Sequence, residues 1–139
     1  MTRVSKAQRR AHPKLDRLRE VAILANAWES DLRWLETVAD EVEVVPGQVI
    51  VAAGELLRAV VVPADPDGPA RWDDPFRSTS VGYIVGASAV ASRRQQRATV
   101  TAAARLRLWL IPVAQFELLR ERFPAVELAM IDEARRLMG

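Results

Sequence analysis

The chain has 139 residues, half of them hydrophobic, and a net charge of only +2, which is the size of one domain with enough apolar material to bury a core. The absence of cysteine excludes disulfides, thiol catalysis and cysteine-based metal sites. No apolar run reaches the ~18 residues of a membrane helix, and the basic N-terminus lacks the apolar segment of a signal peptide, so a cytoplasmic protein is expected.

The charge is unevenly spread. Residues 1–20 hold Arg3, Lys6, Arg9, Arg10, Lys14, Arg17 and Arg19 against only Asp16 and Glu20, whereas residues 21–139 hold thirteen basic and sixteen acidic side chains. Residues 1–13 are too poor in apolar side chains to pack and are expected to form a flexible basic arm on a domain of residues 14–139. Such an arm suits an acidic protein surface or a nucleic acid, or is merely a solvated terminus. From Lys14, Leu15, Leu18, Ala22 and Ala25 recur at helical spacing. Ser30 is a good N-cap for a second helix, Asp31 to Ala39, with Leu32, Leu35 and Val38 as its buried stripe and Trp28 and Trp34 packed near the junction.

The period then changes to two. Glu41–Val45, Gln48–Ala52 and Ala59–Val62 read as strands, separated by turns at Pro46-Gly47 and Gly54-Glu55. Residues Pro63–Ser78, with four prolines, a glycine and four aspartates, read as a loop; Trp72 and Phe76 within it are expected either to plug the fold or to form a partner-binding patch. Strand character returns at Val81–Val85. After a polar loop, Arg93–Arg97, come strands Ala98–Thr101 and Arg105–Ile111, the latter alternating Leu106, Leu108 and Leu110 against Arg105, Arg107 and Trp109. Pro112 suits a helix start. Phe116, Leu119 and Phe123 give that helix an apolar face, and Ala125–Met138 reads as a last helix with Val126, Met130, Ala134 and Leu137 on one side.

Four segments in this order resemble the cyclic nucleotide-binding domain family. They are Asp31–Leu35 before the strands, Pro46-Gly47-Gln48-Val49-Ile50 with Gly54-Glu55, the stretch Val81–Ala102, and Leu108–Pro112 with Phe116. The third has the outline of the family's phosphate-binding cassette, matched at Gly82, Tyr83, Gly86, Ala89, Val90, Ala98 and Val100. The resemblance covers about residues 25–139. It implies a mainly β fold with flanking helices, a jelly-roll-related β-roll of about eight short strands with helices before it and two after. It also implies a ligand pocket at Gly86, Ala87, Ser88, Ala89, Gln96 and Arg97. Ala87 stands where the family has a ribose-binding Glu, and Gln96 where it has a phosphate-binding Arg, so the pocket is degenerate. Arg97 follows Gln96 but would face the other way along a strand, unless a bulge turned it inward. Arg93, Arg94 and Arg97 otherwise form a surface anion patch or a solvated loop.

Nothing in the sequence points to an enzyme, a metal site or a cofactor. His12 is the only histidine, too few for a metal set or a catalytic triad. The aspartates of the Pro/Asp segment lack EF-hand spacing. Glu41 and Glu43 share a strand face and read as solvated. The expected function is a non-catalytic regulatory or scaffold module working through protein contacts, with Arg3, Lys6, Arg9, Arg10, Trp72 and Phe76 as partner-binding residues. Two alternatives stay open: a sensor of a cyclic nucleotide or other small anion through cassette amides, and nucleic-acid binding through the arm. The helix-turn-helix that follows the roll in the family's transcription factors is not found before Gly139.

Overall fold

The computed structural model describes residues 13–21, 24, 27–64, 72–73 and 84–138. The arm residues Arg3, Lys6, Arg9 and Arg10, the helix-face residues Ala22 and Ala25, Phe76, and the cassette residues Gly82 and Tyr83 lie outside them, as does the side chain of Trp72. Helices α1 (Pro13–Arg19) and α2 (Glu29–Val38) precede strands β1 (Asp40–Val44), β2 (Val49–Val51), β3 (Ala59–Pro63) and β4 (Trp72–Asp73). Helix α3 (Ala87–Ser92), strands β5 (Val100–Ala102) and β6 (Leu106–Pro112), and helices α4 (Phe116–Arg122) and α5 (Pro124–Met138) follow.

Two three-stranded antiparallel sheets form the roll, in the orders β1-β6-β3 and β2-β5-β4. Strand β6 is the centre of the first, with Asp40 opposite Leu110 and Val44 opposite Leu106 on one side, and Val60 opposite Ile111 and Pro63 opposite Leu108 on the other. Both faces of this sheet are covered, so the period-two alternation distributes its side chains between two cores rather than between core and water. Val61, Leu106 and Leu108 join Val44, Val51, Val85, Val100 and Ala102 in a cluster shared by the two sheets. Val60, Val62, Trp109 and Ile111 face the helices, meeting Leu15, Leu18, Leu32, Leu35, Phe116, Leu119, Phe123 and Val126.

This corrects the reading of β6: Trp109 is fully buried against the helices, while Leu110 is only half-buried. Three further expectations change. Helix α2 begins one residue before Ser30. Trp28 is its N-cap, and the Trp28 carbonyl accepts from Asp31 and Leu32, both at 3.1 Å. Ser30 is exposed inside the first turn, and Trp28, expected to pack, is 79% exposed. Within Pro63–Ser78, Trp72 and Asp73 are not loop but strand, paired with Ala102 and Thr101. The described residues hold six strands, and Val85 makes an isolated bridge to Val61.

Two ion pairs fix the C-terminal helices. Arg122 donates to Asp31 at 3.0 Å and lies 5.1 Å from the Trp34 ring centre, tying α4 to α2. Arg120 grips Glu127 through two parallel bonds of 2.8 and 3.0 Å, tying α4 to α5. That hydrogen-bonded fork holds the Glu127 carboxyl below its usual range and raises Arg120. The two glutamates of β1 are also paired rather than merely solvated: Glu41 accepts from Arg17 at 2.9 Å, and Glu43 meets Arg105.

Candidate ligand-binding cassette

Residues Ile84 to Val100 leave the roll, turn once around α3 and return. The two backbone bonds between Val61 and Val85, 3.0 and 2.8 Å, fix where the excursion starts. Gly86 then takes a left-handed conformation, φ 90°, and caps α3. A side chain there is excluded twice, because a Cβ would also lie 2.4 Å from Leu57 Cδ1. Ala87, where the resemblance expects a ribose-binding Glu, is fully buried and packs with the helical core.

The start of α3 is where the resemblance places the cassette's donors. Its first backbone N–H groups have no partner within the helix. Here two amides at that end, those of Gly86 and Ser88, are taken by the protein itself. Glu133, on α5, accepts from the Gly86 N–H through Oε2 and from the Ser88 N–H through Oε1, both at 2.8 Å. Glu133 is one of only two polar side chains in the core of the described residues, 5% exposed. The orientation of α5 set by the Arg120–Glu127 fork and by Phe123 and Val126 in the core delivers this carboxylate to the cassette. The sequence carried a signal for it. Glu133 falls three residues after Met130 and seven after Val126, on the apolar stripe of α5, where a charged residue needs an internal partner.

Gln96 is the other polar side chain of the core, 4% exposed. Its backbone is clamped by the Gly54-Glu55 turn, with Gln96 N–H donating to the Glu55 carbonyl and Gly54 N–H to the Gln96 carbonyl, each at 2.8 Å. Its side-chain amide donates to the Ala98 carbonyl at 3.0 Å, and its Oε1 has no partner. Arg97, next along, is exposed, so the alternation expected from a strand entry holds and no bulge turns Arg97 inward. Of the six residues of the expected pocket, Gly86, Ala87 and Ser88 stand at the Glu133 carboxylate or beside it, and Ala89 is the next residue of α3. Gln96 is buried apart from it, and Arg97 faces outward.

On the outer side, Ser88, Ala89, Ser92, Arg94, Gln95, Arg97 and Ala134 line a cleft of about 250 Å³. Among the described residues no three His, Asp or Glu side chains are grouped to hold a metal ion, and no helix is long and apolar enough to cross a membrane.

No protein-family model matches the chain, and no curated protein matches it. Solved structures do match. PKAR CBD2 bound to Sp-2Cl-cAMPS superposes with a TM-score of 0.70 at 14% identity, over 96% of this chain and 90% of that one. A protein of Geobacter metallireducens GS-15 named for cyclic nucleotide binding gives 0.61 at 18% identity, over 88% and 94%. A cAMP-binding acyltransferase from Mycobacterium smegmatis gives 0.66 at 19% identity, over 88% of this chain but 39% of the acyltransferase. These likenesses establish the fold: the chain is built as a cyclic nucleotide-binding-domain-like β-roll with flanking helices.

Proposed function

We propose that the chain is a non-catalytic regulatory or scaffold module that retains the nucleotide-binding roll but does not use it for cyclic nucleotides, and that it acts through protein contacts. The observation that carries this reading is the Glu133 carboxylate on the Gly86 and Ser88 amides. A cyclic phosphate needs those donors free. Here an anion delivered by α5 already satisfies them, and a second negative charge beside it would be repelled.

The side-chain chemistry points the same way. Without a Glu at Ala87 or an Arg at Gln96, a nucleotide loses two charge-assisted contacts. At about 1.5–3 kcal/mol each, their loss weakens binding roughly 10²–10⁴-fold. Val51, Val61, Val85, Val100 and Leu108 fill the interior between the sheets, which supports a roll held together by its own side chains. For the protein contacts, the basic arm of Arg3, Lys6, Arg9 and Arg10 fits an acidic protein surface, with the Trp72–Phe76 segment as a second contact. Calorimetric titration with cyclic AMP and cyclic GMP at physiological salt tests the reading. It predicts no isotherm tighter than about 100 μM, and a low-micromolar one would replace it with a nucleotide sensor.

A further inference from the structure

The outer cleft beside α3 differs in character from the cassette it adjoins. Among the described residues, Arg17, Arg19, Arg33, Arg105, Arg120 and Arg122 each hold a carboxylate. Arg94 and Arg97 hold none, yet both line one concavity of about 250 Å³ with the hydroxyl-bearing Ser88 and Ser92. The remaining wall includes buried Ala89 and half-buried Ala134. The cleft therefore has an apolar floor and a cationic rim.

The rim is also held in place. Arg94 N–H donates to the Ala89 carbonyl at 2.9 Å, and Gln96 is tied on both sides to the Gly54-Glu55 turn at 2.8 Å. Both arginines thus leave a fixed backbone, which reduces the ordering cost of closing them on a ligand. The nearest acid in sequence to the cleft wall, Glu133, turns both carboxylate oxygens toward the Gly86 and Ser88 amides. Guanidinium groups are suited to multivalent oxyanions, because their donors match the oxygens in a planar fork.

We propose that this cleft is a second, outer binding site, for a small organic phosphate whose oxygens sit between Arg94 and Arg97 and whose apolar body rests on Ala89 and Ala134. The site adjoins the cassette at Ser88 but takes its charge from Arg94 and Arg97, so the double arginine variant below tells it apart from binding at the Gly86 and Ser88 amides. Phenyl phosphate is the probe, titrated into the full chain and followed by amide shifts in ¹H–¹⁵N spectra at constant ionic strength. The expected result is saturable shifts within residues 88–97 and at Ala134, with weaker binding of inorganic phosphate and none of phenol. Arg94→Gln with Arg97→Gln should keep the native spectrum, since both side chains are exposed, and should weaken binding about tenfold or more. No saturable shift in the wild type, or an affinity unchanged in the double variant, overturns the site. Inorganic phosphate binding as tightly as phenyl phosphate overturns the role given to the apolar floor.

Discussion

Replacing Glu133 by Ala tests the internal carboxylate. Ala is a strong helix former, so α5 itself is not weakened by the change. What is lost is the acceptor for two N–H groups: Gly86 is buried and Ser88 half-buried, and each was held at 2.8 Å. An unsatisfied buried donor costs about 1–3 kcal/mol, so the pair amounts to about 2–6 kcal/mol. The upper part of that range is reached only if water cannot enter the space left behind. Glu133→Gln keeps one acceptor oxygen and turns an NH₂ toward the other N–H, so its loss should be about half as large. Urea denaturation gives the stabilities, and native-state hydrogen exchange of Gly86 and Ser88 gives the local effect. The order wild type, Gln, Ala is expected in both. If Glu133→Ala unfolds within about 0.5 kcal/mol of wild type and both amides stay as protected as before, the carboxylate does not hold the cassette.

Three other perturbations follow from the same structure. Trp109→Ala should cost about 3–5 kcal/mol and Leu110→Ala clearly less, and equal losses by urea melt would mean that the faces of β6 are misassigned. Arg93 is the one described non-glycine residue at positive φ, 56°; Arg93→Gly should therefore raise the melting temperature slightly, since left-handed backbone costs an L-residue about 1–2 kcal/mol, partly offset by the greater unfolded entropy of Gly. The Arg120 hydrogen bond depresses the Glu127 carboxyl, so its contribution is present above the unfolded glutamate value and disappears as pH falls through the lower folded one. Wild type and Glu127→Gln should accordingly differ in melting temperature at neutral pH and converge in acid, and a gap that widens on acidification would contradict the pairing.

The sequence made most of the roll readable because its signals are local. Pro46-Gly47 and Gly54 mark turns by backbone chemistry alone, and Ala59–Pro63 is an apolar run too short for a helix. The face of β6 was misread because alternation tells only which residues share a side. Leu106, Leu108 and Leu110 look like the sole buried set until α1, α2, α4 and α5 are known to cover Trp109. Ser30 is an equally local signal that lost, since the Trp28 carbonyl initiates α2 two residues earlier and no side-chain cap forms. At the cassette, the departures at Ala87 and Gln96 were legible against the resembling family. The occupant of its donors was not, because Glu133 lies 45 residues after Ser88 and only the docking of α5 brings them together.

The central claim is that the cassette amides belong to Glu133 and not to a nucleotide. The most direct measurement records the Gly86 and Ser88 amide resonances of the wild-type chain with and without millimolar cyclic AMP. With Glu133 in place, the Gly86 resonance should not move, and both amides should keep the same slow hydrogen exchange in the two samples. Saturable movement of the Gly86 resonance, accompanied by faster exchange along α5, would show the nucleotide displacing Glu133 and contradict that claim.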